Sequence, residues 1–134
     1  MYQSKYRSVY NLTAHIVFVT EYRRRTLTKE LLFELEEVFK SILETRECQL
    51  LEFNGEADHV HLLISYLPSI AVSNLVANLK STASKQMWLK HSNYLKKFYW
   101  KNRVFWTGAY FVSSCGGVTI EQIRKYVENQ NAPN

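Results

Sequence analysis

Asp58 to Tyr66 reads "DHVHLLISY", and the reading of this stretch decides the fold. Aliphatic and β-branched residues dominate it, and the side chains of a strand alternate between two faces. Val60, Leu62 and Ile64 therefore share one face and suit a core packed against helices. His59 and His61 share the other face and project away from that core. Just upstream, Gln49 to Phe53 reads as a short strand and Asn54-Gly55 as the start of a turn. His59 to Leu67 is then the second strand of a hairpin, with a link longer than a two-residue loop.

Outward from this hairpin the chain alternates strands and helices. Val9 to Thr20, "VYNLTAHIVFVT", is β-branched and aromatic and predicts a strand. "EYRRRTL" follows as a basic loop. Thr28 is a helix N-cap, and Leu31, Leu32, Leu35, Val38, Phe39, Ile42 and Leu43 form a helical stripe behind it. Pro68-Ser69 opens a second helix with Ser69 as its cap. Val72, Leu75, Val76, Leu79, Ala83 and Met87 make its buried face, with Lys80 and Lys85 on the exposed side. The basic, aromatic segment "HSNYLKKFYWKNRVFWTG" is expected to be irregular at first, and Arg103 to Val112 to contain a strand that Gly116-Gly117 breaks. Thr119 then caps a last helix, with Gln122 completing a capping box, Ile120, Ile123 and Val127 as its apolar stripe, and Asn131 and Pro133 as its stop. The order β-α-β-β-α-β-α is that of an α+β fold. It is the ferredoxin-like or RRM-like split βαβ antiparallel sheet, with helices on one face and an added C-terminal helix.

Bulk properties set the class. A chain of 134 residues predicts a single domain over residues 1–134, large enough to bury a core without staples. Hydrophobic residues make up 46% and charged residues 22%, the balance of a soluble globular protein. The two cysteines, Cys48 and Cys115, form no CxxC pattern, which argues against a disulfide scaffold or structural zinc and fits a cytoplasmic, reducing setting. No membrane span or apolar leader is expected. A net charge of +5 suggests a polyanionic partner, and nine tyrosines, seven phenylalanines and three tryptophans supply either core or base-stacking surfaces.

Two imidazoles on one strand face make a good pair of metal ligands, and equally a pair of half-exposed histidines with hydrogen-bond partners. The motif alone does not choose. In the last helix, "IEQIRKYVENQ", Tyr126 and Gln130 are four apart and so share a face. Tyr126 can be a packing tyrosine or a phenol for chemistry, and Gln130 a solvated helix end or an oxygen ligand. Other owners of an HxH strand fit less well. A metal-dependent amidohydrolase needs a barrel of about 250 residues. A cupin-like site wants more histidines than His15 and His91 supply, and a two-histidine phosphoesterase needs a second His-x-Ser/Thr motif.

The chain resembles the TnpA-like single-tyrosine HUH transposases of small bacterial and archaeal insertion sequences. HUH stands for His, a hydrophobic residue, His, here His59-Val60-His61. The likeness also covers "AHIVFVTEYRRRTL", "PSIAVSNLVANLKSTAS", "FWTGAYFVSSCGGVT" and "YVENQ", in family order and across nearly the whole chain. This resemblance implies an enzyme that cleaves and rejoins single-stranded DNA. Tyr126 would be the nucleophile and would become joined to a 5′ phosphate. His59, His61 and Gln130 would hold one divalent ion, Mg²⁺ or Mn²⁺. Arg23, Arg24, Arg25, Lys80, Lys85, Lys96, Lys97, Lys101 and Arg103 are candidate phosphate contacts. The resemblance further implies imperfect DNA hairpins as partners, and a homodimer whose active sites combine the histidines of one subunit with the tyrosine helix of the other. The last strand carries Val104, Phe105, Trp106, Tyr110 and Phe111 and few charges, and would suit such edge pairing. Two other readings stand beside this one: a palindrome-processing or replication-type nicking relative with the same HUH site, and a non-catalytic RRM-like module that stacks RNA bases.

Overall fold

The computed structural model describes residues 3–5, 8–10, 12–114, 125 and 127–129. A small antiparallel pair, β1 (Gln3–Lys5) and β2 (Ser8–Tyr10), precedes β3 (Thr13–Val19). After a 3-10 turn at Glu21–Arg23 come α1 (Lys29–Thr45), β4 (Gln49–Gly55), β5 (His59–Ser65), α2 (Val72–Leu95) and β6 (Phe111–Ser114). The main sheet is antiparallel with strand order β4-β5-β3-β6. Two strands adjacent in sequence, β4 and β5, form the hairpin, and each helix crosses over between strands. This is the split βαβ plan expected from the element order.

Strand alternation builds one core. Ile16 and Phe18 of β3, with Val60, Leu62 and Ile64 of β5, are fully buried against α1 and α2. Leu31, Leu35, Phe39, Ile42 and Leu43 of α1 meet them, as do Leu75, Val76, Leu79, Ala83 and Met87 of α2. Phe39 sits at the centre, its ring 5.9 Å from Phe18 and 6.4 Å from Trp106. Thr28 caps α1 as expected, its hydroxyl accepting from the Leu31 N–H at 3.1 Å.

Several boundaries differ from the sequence reading. The strand expected over Val9 to Thr20 is broken: Ser8–Tyr10 pairs with Gln3–Lys5, and only Thr13–Val19 enters the main sheet. The turn does not start at Asn54-Gly55, because Asn54 and Gly55 still pair with His61 and Val60. The Glu56 N–H donates to the His59 carbonyl at 2.8 Å and closes the hairpin around Ala57-Asp58. Gly55 instead lets β4 pass close to α1: a Cβ there would lie 2.4 Å from Leu32 Cδ2, and that side chain would have to shift. The second helix starts at Val72 with Ala71 at its N-cap, not at Ser69; the Ile70 N–H instead closes a turn on the Leu67 carbonyl. It also runs on through the segment expected to be irregular, past a non-helical residue at His91, because Leu95 is fully buried. Residues 103–110 contribute a single bridge, Thr20 to Trp106, and the last strand begins only at Phe111. The expected features at Gly116-Gly117, Thr119, Ile120, Gln122, Ile123, Tyr126, Gln130, Asn131 and Pro133 lie outside the described residues, as does Cys115.

Candidate active site

The face of the sheet away from the helices carries the histidines. In the β3–β5 register Val17 lies opposite His61 and Val19 opposite His59. The two imidazoles stack with centroids 5.9 Å apart and planes within 16°. His15 joins them two positions along β3, its ring 6.5 Å from that of His61. Burial first, and then the neighbouring His59 and His15, push the His61 pKa below its ordinary value. The neutral imidazole that results is the form that ligates metals.

His59 is oriented by the residue before it. Its Nδ1 lies 2.9 Å from Asp58 Oδ1, so the carboxylate accepts the Nδ1 proton and Nε2 is the ring nitrogen left for a ligand. Asp58 is in turn held by Arg23, whose Nε lies 3.4 Å from Oδ2. The hydrogen bond from His59, with help from Arg23, holds the Asp58 carboxyl below its ordinary range. The chain Arg23–Asp58–His59 thus locks one ring and supplies the half-buried charge with partners.

Arg23 reaches this position through an unusual turn. Tyr22 and Arg23 both have left-handed backbones, φ 58° and 54°, which costs non-glycine residues about 1–2 kcal/mol each. The turn is held from several sides. The Thr20 N–H donates to the Asp58 carbonyl at 3.0 Å, the Thr20 hydroxyl donates to the Arg24 carbonyl at 2.6 Å, and the Tyr99 hydroxyl donates to the Glu21 carbonyl at 2.8 Å. Burial raises the Tyr99 pKa to about 12, so it stays a donor.

The C-terminal segment meets the same face. Val127 is buried against Val17 and Val19, with Phe111 beside them. Arg23 Nη1 reaches the Val127 and Glu128 carbonyls at 3.5 and 3.4 Å. The apolar role expected of Val127 is therefore met, on the β3 positions that lie directly opposite the histidines. Tyr126 and Gln130, the expected nucleophile and third ligand, lie outside the described residues.

The basic residues divide. Arg25, Lys85, Lys96, Lys97, Lys101 and Arg103 are exposed, Arg103 resting over the Trp88 ring at 5.4 Å. Arg23 and Arg24 are engaged in the turn. Lys80 is not on an exposed side: it is half-buried, donates to the Thr107 carbonyl at 2.7 Å and has its pKa lowered by burial. It braces the loop before β6. Among the described residues, the one trio of ligand atoms close enough together to hold an ion is Glu30, Glu34 and His91. It lies on the helical layer, across the sheet from His59, and there His91 Nε2 is 2.9 Å from Glu34 Oε1, an interhelical clasp.

Asp58 and His15 were not singled out from sequence as parts of this site, and Arg23 was expected as a phosphate contact, not as the partner of Asp58. Asp58 had one available signal, its place directly before His59. His15 shares strand parity with Val17 and Val19, but that placed it beside His61 only once the β3–β5 register was known.

A family model described as "Transposase IS200 like" matches residues 8–130. The chain belongs to the IS200-like transposase family. The transposase for insertion sequence element IS200 of Salmonella typhimurium is 30% identical over 121 residues, covering 90% of this chain and 78% of that protein. The ISDra2 transposase TnpA of Deinococcus radiodurans is 28% identical over 123 residues, covering 92% and 86%. Among solved structures, one of a protein assigned as a transposase from Deinococcus radiodurans R1 superposes with a TM-score of 0.88 at 27% identity, over 98% of this chain and 99% of that one. A REP-associated tyrosine transposase bound to a REP hairpin shares the fold, with a TM-score of 0.55 at 13% identity over 94% of this chain and 69% of that one. Membership of the IS200-like family makes this chain a DNA-transposing enzyme, and among its described residues no helix is long and apolar enough to cross a membrane.

Proposed function

We propose that this IS200-like transposase cleaves and rejoins single-stranded DNA at the ends of an insertion sequence through a 5′-phosphotyrosine at Tyr126. The observation that carries the reading is the histidine face: His59 and His61 are stacked, one is locked by Asp58 and the other held neutral, and Val127, next to Tyr126 in sequence, packs on that same face. The ion would be divalent, Mg²⁺ or Mn²⁺, with His59 and His61 as nitrogen ligands and Gln130 as the neutral oxygen, and the two imidazoles favour Mn²⁺. A bound ion would polarise the scissile phosphate and offset the charge that develops on it.

The chain's own groups do the rest. Tyr126 contributes its phenolic oxygen, which forms a bond to phosphorus as the bond to the 3′ oxygen breaks. The phenol loses its proton and the departing strand ends as a 3′ hydroxyl. One phosphate ester replaces another, so the step reverses without ATP, which rejoining requires. Arg23 and Asp58 fix the orientation of His59. The exposed Arg25, Lys85, Lys101 and Arg103 are available to phosphates. Hairpin DNA as substrate is supported by the REP hairpin bound to the structural relative. A homodimer with shared sites completes the proposal: in it the helix of a two-fold copy would take the seat that Val127 occupies on Val17 and Val19.

The test is covalent capture. A labelled single strand carrying the palindromic end of the surrounding element, incubated with protein and Mn²⁺, should yield a DNA–protein adduct that survives denaturing electrophoresis. A binding module without chemistry, or a nuclease using water, gives no adduct and overturns the reading.

A further inference from the structure

The left-handed turn at Tyr22-Arg23 separates neighbouring side chains. Arg23 turns back to Asp58, whereas Tyr22 and Arg24 line a hollow of about 230 Å³ together with Tyr99, Trp100 and Lys101. The Arg24 guanidinium stands over three rings, 5.2 Å from Tyr22, 5.2 Å from Trp100 and 5.6 Å from Tyr99. It is anchored there by donating to the Phe98 carbonyl. Tyr99 is buried and hydrogen-bonded, so its role in packing is complete. Trp100 and Tyr22 differ: they are 67% and 48% exposed and belong to no part of the core.

The chemistry of the hollow narrows its occupant. Its rings already carry a cation, so an ammonium or a second guanidinium would be repelled. Among the described residues no carboxylate lines it, and Lys101 stands at its side. Exposed aromatic faces beside fixed and mobile positive charge match a flat neutral base joined to phosphate. Position agrees, because the residue between Tyr22 and Arg24 is the one that holds Asp58 against His59. We infer that this hollow is a stacking site for one unpaired base of the DNA strand that runs past His59 and His61, with Trp100 and Tyr22 as the platform and Arg24 and Lys101 beside its phosphates. The inference rests on the single-strand reading above and adds a subsite to it.

The test separates bases from phosphates. Two fluorescein-labelled strands of about 12 nucleotides, within the span of a single-strand binding site, are titrated by anisotropy: oligothymidine, and a fully abasic strand of the same length. Trp100→Ala should bind oligothymidine about tenfold more weakly than the wild type, the size expected for losing one stacked base, and should bind the abasic strand equally well. Trp100→Phe should keep most of the oligothymidine affinity. An equal loss on both strands, or no loss on oligothymidine, overturns the stacking site. Covalent capture by the wild type, scored in parallel, keeps the two claims apart. Capture with a base-independent Trp100→Ala effect sinks the hollow alone. Base-dependent loss without capture supports the hollow and sinks the strand-transfer reading. A wild type that binds neither strand sinks the hollow, and capture on the palindromic end still decides the strand-transfer reading separately.

Discussion

Asp58→Ala removes a carboxylate with two partners, His59 Nδ1 at 2.9 Å and Arg23 Nε at 3.4 Å. Without it the His59 ring can rotate, and its proton can move to the nitrogen that a metal would use. Arg23 loses its ion-pair partner and one of the contacts that places the strained turn. A carboxylate behind a ligating histidine typically contributes 10–100-fold in metal affinity, or about 1.4–2.8 kcal/mol. The second partner and the partial burial of this pair put the expected loss near the middle, about 30-fold. Asp58→Asn should lose less, because an amide oxygen still accepts from Nδ1 although the charge facing Arg23 is gone. The assay is calorimetric titration of Mn²⁺ into each variant, with thermal melts to verify folding. Wild-type Mn²⁺ affinity in well-folded Asp58→Ala would refute the claim that this carboxylate orients His59 as a ligand.

Three other outcomes are expected. Mixed dimers of His61→Ala and Tyr126→Phe subunits should regain covalent capture at a single site if helices are exchanged; verified mixed dimers that capture nothing would place each Tyr126 on its own chain's histidines. Metal-free protein should lose stability as pH falls. His61 and Asp58 both have folded pKa values below their unfolded ones, so the unfolded chain binds protons first and their contribution, present above about 6.5 and 3.8, drains away beneath those values. Melts in chelator across that range check this, and His61→Gln should flatten the slope in the upper part of it. Gly55→Ala should cost about 1 kcal/mol by denaturant titration, the low end of overpacking, because the atom it meets is the far end of the Leu32 side chain.

Where the sequence was legible, local pattern and tertiary burial agreed. The α1 stripe and its Thr28 cap needed no partner to be recognised, and the alternation of Val60, Leu62 and Ile64 with His59 and His61 fixed which way the histidines face. Boundaries failed where distant contacts decided them. β-Propensity at Val9-Tyr10 could not say that Ser8–Tyr10 would pair with Gln3–Lys5 and leave the main sheet. Phe105 and Trp106 read as strand residues, but they fill the core under α1 and α2, so the ladder starts later at Phe111. In α2, burial of Leu95 outweighed a polar, aromatic sequence that argued for an irregular segment. The site divides in the same way. The HxH pair is a local pattern, whereas the Arg23–Asp58 link and the hollow at Tyr22 and Trp100 join residues far apart in the chain, which only the sheet register and the turn at Tyr22 bring together.

The claim that everything else depends on is that Tyr126 is the nucleophile. Peptide mapping of the DNA–protein adduct by mass spectrometry, after nuclease trimming, tests it most directly. The account predicts a nucleotide phosphate on the Tyr126 peptide and no adduct from Tyr126→Phe. A phosphate on any other residue, or an adduct of undiminished yield from Tyr126→Phe, would contradict it.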